Sequence, residues 1–409
     1  MPADWPSVEL RCLIEPERGI SYGIVQPGTP VVDGVPIVRV SDVREGRIKV
    51  ASPLRVSKEV EAAYSRTRLR GGELLITIVG TVGETAIVPA SLAGWNVARA
   101  IAVLPIQSEV GARWVKRALL SPAASTQIRS RLNTTVQATL NLGDLAKLPI
   151  LLPPPPERER IEAMLGSLDD KIDLNHRMNE TLEALARAIF KDWFVNFGPT
   201  RAMMEGRTPY LEPAIWESFP DRLDGQGIPK GWGEVRVEKL LELAYGKSLP
   251  AGERNAGHVP VYGSGGINGF HDQSLVDGPA IIVGRKGTVG SLYWEHQPCF
   301  PIDTVFFVRS KLPLTYCFHL LQTLGLMEMN TDAAVPGLNR SNVYRLLVPH
   351  PPAALIQRFG VEAATIREKM AANAKENASL SEMRDLLLPK LMSGQIHLKD
   401  AEQAAASII

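Results

Sequence analysis

Three cysteines in 409 residues, Cys12, Cys299 and Cys317, are too few for a disulfide framework and point to a reducing compartment. No apolar run reaches the roughly 18 residues that a membrane-spanning helix needs. The opening Met1-Pro2-Ala3-Asp4-Trp5 lacks the basic-then-apolar layout of a secretion signal. A cytoplasmic protein with no membrane partner is expected. Charge of one sign is missing as well: the formal net charge is +1, which says little about partners because a balanced chain can still carry a local basic face. Apolar residues make up 45%, enough for proper cores, and the length leaves room for two or three domains.

Motifs that carry chemistry are scarce. Tyr245-Gly246-Lys247-Ser248 ends like a phosphate loop, but Leu241 stands where the first glycine belongs. Gly263-Ser264-Gly265-Gly266 begins like a dinucleotide fingerprint and then places Asn268 at the next glycine position. His296, Cys299, Cys317 and His319 can be written as a zinc quartet, yet Cys317 and His319 lie two apart in an apolar helical run and would not share a face. No metal site is expected. No Asn-Pro-Pro-aromatic or Asp-Pro-Pro-aromatic run is present, so base methylation has no visible catalytic strand. Asp169-Asp170-Lys171 comes nearest to a nuclease-like set of carboxylates and lysine, and it falls on a helix. The chain does not read as an enzyme acting alone, and no catalytic residue is assigned.

What is present begins with the stretch from Pro153 to Phe197. Behind four prolines, apolar residues recur in steps of four and three: Ile161, Leu165, Leu168, Ile172, then Leu182, Ala186, Ile189 and Trp193, with Asn175 and Asn179 in the gap. That is a heptad seam of about 3.5 residues per repeat, read as a helix of roughly 38 residues and about 57 Å. Proline closes its front, and Gly198-Pro199 is read as its stop. The partner for so long a stripe lies 198 residues on, at Phe359, Ala363, Ile366, Met370, Asn373, Asn377, Leu380, Arg384, Leu387 and Leu391. Pro351-Pro352 precede this second helix and Gly394 follows it, so proline entry, amide pair and glycine exit all repeat.

The regions before the two helices repeat too. Trp232 answers Trp5, His258–Tyr262 answers Gly34–Val38, and Gly287-Thr288-Val289-Gly290 repeats Gly80-Thr81-Val82-Gly83 letter for letter. Leu338-Asn339 answers Leu140-Asn141. In the first region short apolar runs read as strands at 35–40, 74–79, 85–88 and 100–104, with a helix over 111–120. The expected layout is a first head over 1–152, a long helix over 153–198, a linker over 199–229, a second head over 230–350, a second long helix over 351–395 and a tail over 396–409. The fold class is α+β: two strand-rich mixed heads joined by two long antiparallel helices, with an internal pseudo-two-fold repeat.

Several motifs together resemble the specificity subunit of a type I restriction–modification system, over nearly the whole chain. They are Leu151-Leu152-Pro153-Pro154-Pro155-Pro156 into the helix, Leu168-Asp169-Asp170-Lys171-Ile172, Met178-Asn179-Glu180-Thr181-Leu182-Glu183 and Phe190-Lys191-Asp192-Trp193-Phe194-Val195-Asn196-Phe197-Gly198-Pro199. The second half adds Tyr262-Gly263-Ser264-Gly265-Gly266-Ile267-Asn268-Gly269, Gly284-Arg285-Lys286-Gly287-Thr288-Val289-Gly290 and Leu386-Leu387-Leu388-Pro389-Lys390-Leu391. The resemblance implies two target-recognition domains, each reading one half of a bipartite double-stranded DNA site, on helices that bind two methylation subunits. Restriction subunits would complete an ATP-driven nuclease. S-adenosylmethionine, ATP and magnesium would then serve the assembled complex, with none bound by this chain. The competing classes are a coiled-coil scaffold whose heads bind proteins and, more weakly, a methyltransferase with its own recognition domains.

Loops that set glycine beside a base-reading or phosphate-binding side chain are the natural DNA contacts. In the first head these are Arg39, Ser41, Thr81, Arg99 and Gln137; in the second, Tyr262, Ser264, Arg285, Lys286, Thr288, Asn339 and Arg340. Basic clusters at Arg66, Arg68 and Arg70, at Arg113, Lys116 and Arg117, and at Arg129 and Arg131 also suit phosphate. For the Gly-Thr-Val-Gly runs a purely structural turn is the rival to contact. Leu174, Met178, Leu185, Phe190 and Phe194 lie off the seam, either to bind another protein or to pack on a head. Antiparallel pairing would set Asn175 opposite Asn377 and Asn179 opposite Asn373, so that the amides fix register.

Overall fold

A computed structural model describes residues 5–44, 46–50, 52–132, 138–329, 337–392 and 396. Two compact units divide the chain, residues 1–172 with 377–409 and residues 173–376. The division falls in the middle of both long helices, Pro155–Phe194 and Ala353–Met392, each 40 residues. Each unit therefore holds one strand-rich head and one half of each helix.

Both units are built on the same strand order. In the first, a four-stranded antiparallel sheet runs Ser21–Tyr22, Ile101–Leu104, Leu74–Thr77, Thr85–Ile87; in the second, Glu242–Tyr245, Val305–Arg309, Ala280–Gly284, Leu292–Glu295. A three-stranded sheet lies beside each: Leu54–Val56, Val35–Val38, Asn96–Val97 and, in the second unit, Gly266–His271, Val259–Gly263, Phe300–Pro301. In both, the middle strand of this smaller sheet is parallel to the last. A short pair ties the two ends of each head together, Ser7–Glu9 with Pro149–Leu151 and Gly233–Arg236 with Leu347–His350.

The sequence pattern explains which faces are covered. Side chains alternate across a strand, so Leu74 and Ile76 enter one core while Leu75 enters the other. Both faces are covered, which is why the strand reads as an unbroken apolar run and why all of Ala280–Gly284 is likewise buried. The inner core joins sheet, helix and long-helix seam. In the first unit Trp114, Val115 and Leu119 of helix Ala112–Leu120 meet Ile161, Leu165, Leu168 and Leu387. In the second, Tyr316, Cys317 and Leu320 of helix Leu314–Gln322 meet Phe190, Trp193, Phe359 and Ala363. Burying side chains of this size contributes about 1.5–3 kcal/mol each, so the heads are fused to the helices.

Within each unit the helix halves run antiparallel. In the second, Asn373 donates to Asn179 at 2.7 Å, Arg367 pairs with Glu183 at 2.8 Å, and Phe359 meets Phe190 edge-on at 5.3 Å. Numbers rise on one helix as they fall on the other. In the first, Asn377 donates to the Ile172 carbonyl at 3.4 Å and Arg384 pairs with Asp169 at 3.1 Å. Asn179 also donates to the Met370 carbonyl at 3.2 Å, and Asn175 donates to Glu376 at 2.7 Å. Asn175 and Asn377 belong to different units.

Some expectations need correction. The first long helix ends at Phe194, before Gly198, and the left-handed residue beyond it is Phe197 (φ 54°). Gly198 instead opens the short helix Gly198–Met204, and a Cβ there would meet Asp192 Oδ1 at 2.0 Å. The glycine there leaves room for the Asp192 carboxylate and the Tyr210 hydroxyl and does not reverse the chain. Gly394 lies outside the described residues. The stretch 199–229, read as a linker, lends Ile215, Phe219 and Ile228 to the second unit's core. Phe190 and Phe194 are buried in the same core, whereas Leu174 and Leu185 are 46% and 48% exposed. Cys299 and Cys317 fall in two different apolar clusters, where burial pushes their thiols up to about 12 and about 11. Among the described residues no helix is long and apolar enough to cross a membrane.

Candidate nucleic-acid interface

The repeated Gly-Thr-Val-Gly runs are tight turns joining the central strand of each four-stranded sheet to its outer neighbour. Each turn has positive φ at both glycines, 81° and 98° at Gly80 and Gly83, 82° and 72° at Gly287 and Gly290. Residues with a Cβ rarely adopt that region, so the glycines are fixed by geometry. The closing hydrogen bonds repeat as well, Gly83 to the Thr77 carbonyl and Gly290 to the Gly284 carbonyl, both at 2.9 Å. A second loop is laced to each turn: Leu140 donates to the Ile78 carbonyl and Leu338 to the Arg285 carbonyl, both at 2.8 Å. The backbone is common, and Thr81 and Thr288 ride exposed upon it.

In the first head this end of the sheet gathers Arg39, Thr81 and Arg99. Strand Val35–Val38 runs parallel to Asn96–Val97, and Ala98 donates to the Val38 carbonyl at 2.9 Å, so Arg39 and Arg99 leave the sheet at the same edge. Ile78 donates to the Ala100 carbonyl at 2.8 Å, which brings the Thr81 turn alongside. The side chains differ in freedom. Arg39 is held by buried Asp42, with Nη2 at 3.3 Å from Oδ1, and Ser41 donates to the same carboxylate at 3.3 Å. Arg99 and Thr81 are exposed. Gln137 lies outside the described residues.

The second head gathers more. Ser264 sits in the hairpin turn between Val259–Gly263 and Gly266–His271, and its carbonyl accepts from Ser291 at 2.7 Å and Tyr293 at 3.1 Å. That joins its turn to the loop carrying Lys286 and Thr288, both exposed. Asn339 caps the short helix Arg340–Tyr344 by accepting from the Ser341 amide at 2.9 Å, which uses its carbonyl oxygen. Arg285 donates to the Asp303 carbonyl at 2.9 Å and Arg340 to the Leu243 carbonyl at 3.3 Å. Both guanidiniums lie 4.9 Å from the ring centroid of Tyr245, a half-exposed residue that sequence reasoning passed over.

Two sequence readings fail here. Tyr262 is buried in the core between the sheets, and its hydroxyl donates to Glu295 at 2.8 Å. Burial first, then that carboxylate, raises its pKa, so the side chain is structural. The basic cluster at Arg113 and Arg117 faces the long helix: buried Arg117 meets Glu162 and Asp169, each at 2.8 Å, and Arg113 meets Asp170 at 3.1 Å. Arg68 is likewise paired with Glu61, whose carboxyl it holds below the usual range.

Residues 31–184 match the family described as Type I restriction modification DNA specificity domain. That stretch carries a domain of the type I specificity family. Over 162 residues it is 32% identical to the specificity subunit of the type I restriction enzyme EcoBI of Escherichia coli, a match covering 39% of this chain and 34% of that one. Over 339 residues it is 25% identical to the specificity subunit of the type I restriction enzyme HindI of Haemophilus influenzae, covering 65% of this chain and 72% of that one. The first of these matches thus spans only about a third of the relative's own length. The crystal structure of the type I restriction–modification S subunit of M. genitalium shares the fold, with a TM-score of 0.51, 17% identity, and 95% and 96% of the two chains covered.

Proposed function

We propose that this chain is the DNA-recognition subunit of a type I restriction–modification assembly, each head reading one half of a bipartite duplex site. The observation that carries the reading is the repeated loop cluster. One backbone frame, with the same turn and the same lacing bond, presents different side chains in the two heads. Ile78 and Val79 in the first stand where Arg285 and Lys286 stand in the second. A scaffold that varies its exposed residues while keeping its turn suits two readers of two different sequences. The long helices would hold the heads apart and set the number of base pairs between half-sites, at about 3.4 Å per pair.

Two methylation subunits would bind along the helices, where Leu174 and Leu185 lie exposed, and restriction subunits would join in the full complex. The chemistry would be theirs, with S-adenosylmethionine, ATP and magnesium bound by those partners and none by this chain. The test is to co-purify the chain with its neighbour-encoded partners and titrate a random duplex pool. Selection of a split motif with a fixed gap is the expected result. Binding with no sequence preference, or to proteins and never to duplex, refutes the proposal in favour of a scaffold.

A further inference from the structure

Tyr22 and Tyr245 occupy the same place in the two heads. Each ends the edge strand of the four-stranded sheet, Tyr22 opposite Ala102 and Tyr245 opposite Phe306. Each is followed by a glycine with no room for a side chain: a Cβ on Gly23 would meet the Val97 carbonyl oxygen at 1.9 Å, and one on Gly246 the Ile302 carbonyl oxygen at 2.1 Å. The rings are 45% and 50% exposed. Their surroundings differ. Tyr245 has the Arg285 and Arg340 guanidiniums against its ring. The matching positions beside Tyr22, fixed by the shared lacing bond, are Ile78 and Leu142. Leu142 lines a cavity of about 220 Å³ with Tyr22 and Arg66.

A flat guanidinium stacks on an aromatic face, which fixes the plane in which its N–H groups point. Arg285 and Arg340 are each tethered to one backbone carbonyl and each bring five N–H donors. Among the described residues neither forms an ion pair. Two cations against one neutral, half-exposed ring leave positive charge that an anionic or electron-rich acceptor offsets.

We infer that Tyr245 is a positioning residue for the second head's grip on duplex DNA. It holds Arg285 and Arg340 so that both donate to acceptor oxygens of the duplex, on phosphates or on guanine. Tyr22 marks the corresponding place in the first head, where Ile78 and Leu142 replace the two arginines, so the part of the salt dependence that this pair supplies belongs to the second head. The inference rests on the DNA-recognition reading above.

The test uses the full chain with its co-purified partners and a duplex carrying the selected site. Tyr245→Ala should weaken binding about ten-fold while Tyr245→Phe, which keeps the ring, stays within about two-fold of wild type. The paired change R285K/R340K keeps the charge but loses the planar fork, and it too should weaken binding. If the arginines hold phosphates, R285A/R340A lowers the slope of log affinity against log salt by about two, for every sequence alike. If they read guanine, discrimination relaxes at one half-site and the slope moves less. Either result supports the inference. Wild-type affinity and salt slope in Tyr245→Ala and in R285A/R340A overturn it, whatever the melting temperatures do. A wild-type complex that binds no duplex is a different failure, that of the DNA reading itself.

Discussion

Replacing Asn179 and Asn373 by alanine, singly and together, probes the seam at its polar centre. Asn373 is 2% exposed and donates to Asn179 Oδ1 at 2.7 Å, while Asn179 also donates to the Met370 carbonyl. Asn373→Ala leaves that Oδ1 without its donor inside the seam, at a cost of about 1–3 kcal/mol. Asn179→Ala strands the Asn373 amide and also removes the Asn179 contact to the Met370 carbonyl, so it should cost at least as much. In the double variant the shared bond is lost only once. The two single losses should therefore exceed the double loss by about 1 kcal/mol, within the range of about 0.5–3 kcal/mol for contacting pairs. Urea unfolding of the full chain measures this, with losses compared only where the m value is unchanged. In a unit of this size about 1 kcal/mol also moves the melting temperature by roughly 2–4 °C. Losses that add to within about 0.3 kcal/mol would refute the reasoning, because the bonded pair would then have no energetic reality. A functional extension sets leucine at all four asparagines, 175, 179, 373 and 377. If the assembly still accepts only its original spacer length, the amides do not set register.

Other perturbations have signs fixed by the structure. Arg117→Ala should destabilise the first unit by about 3–5 kcal/mol, since Glu162 loses the cation that faces it at 2.8 Å. Burial already holds Glu162 above the ordinary carboxylate range despite Arg117, so the variant's loss should be smaller at pH 5 than at pH 8, where the stranded carboxyl is ionised; equal losses at both would refute this. His319 is buried, with its pKa pushed down to about 4 by burial, against the opposing pull of Glu183 and Gln322. The unfolded ring takes a proton near pH 6.5 and the folded ring does not until about 4, so the unfolded state binds the extra proton between those values. Stability of the second unit should fall as pH drops through that window, and His319→Gln should flatten the fall. His296, also lowered mainly by burial, remains in both proteins and supplies the residual slope. Thermal melts from pH 7 to pH 4.5 decide it, and identical slopes in wild type and variant contradict it.

The helices and core faces were legible because periodicity encodes burial. Of the first helix's seam, Ile161, Leu165, Leu168, Ile172, Ala186 and Trp193 are buried, and Trp114, Val115, Ala118 and Leu119 form the buried face of the shorter helix. Helix ends were less legible. Gly198 reads as a stop signal, yet it opens the next short helix, with the Asp192 side chain packed against it. The linker was misread because prolines, glycines and charges interrupt its apolar residues and hide any period, although Ile215, Phe219 and Ile228 are in the core. In the heads, choosing loops with glycine beside a polar group selected Ser264, Arg285, Lys286, Thr288 and Arg340, which the fold brings together; their contact with DNA is part of the proposal. It also selected Tyr262, because strand alternation alone does not say which of two covered faces a tyrosine enters. It missed Tyr245. The signal was present as Tyr-Gly at 22–23 and again at 245–246, a repeat easily lost because the spacing between heads changes along the chain.

On the proposed reading, each head recognises its own half of a divided site. Exchanging residues 1–152 for the equivalent head of another specificity subunit, then sequencing the modified bases in cells carrying the hybrid with its methylation partners, tests it most directly. A new first half-site beside an unchanged second half-site and spacer is the result predicted. A hybrid that alters both halves, or a wild type that leaves no split methylated motif, contradicts that reading.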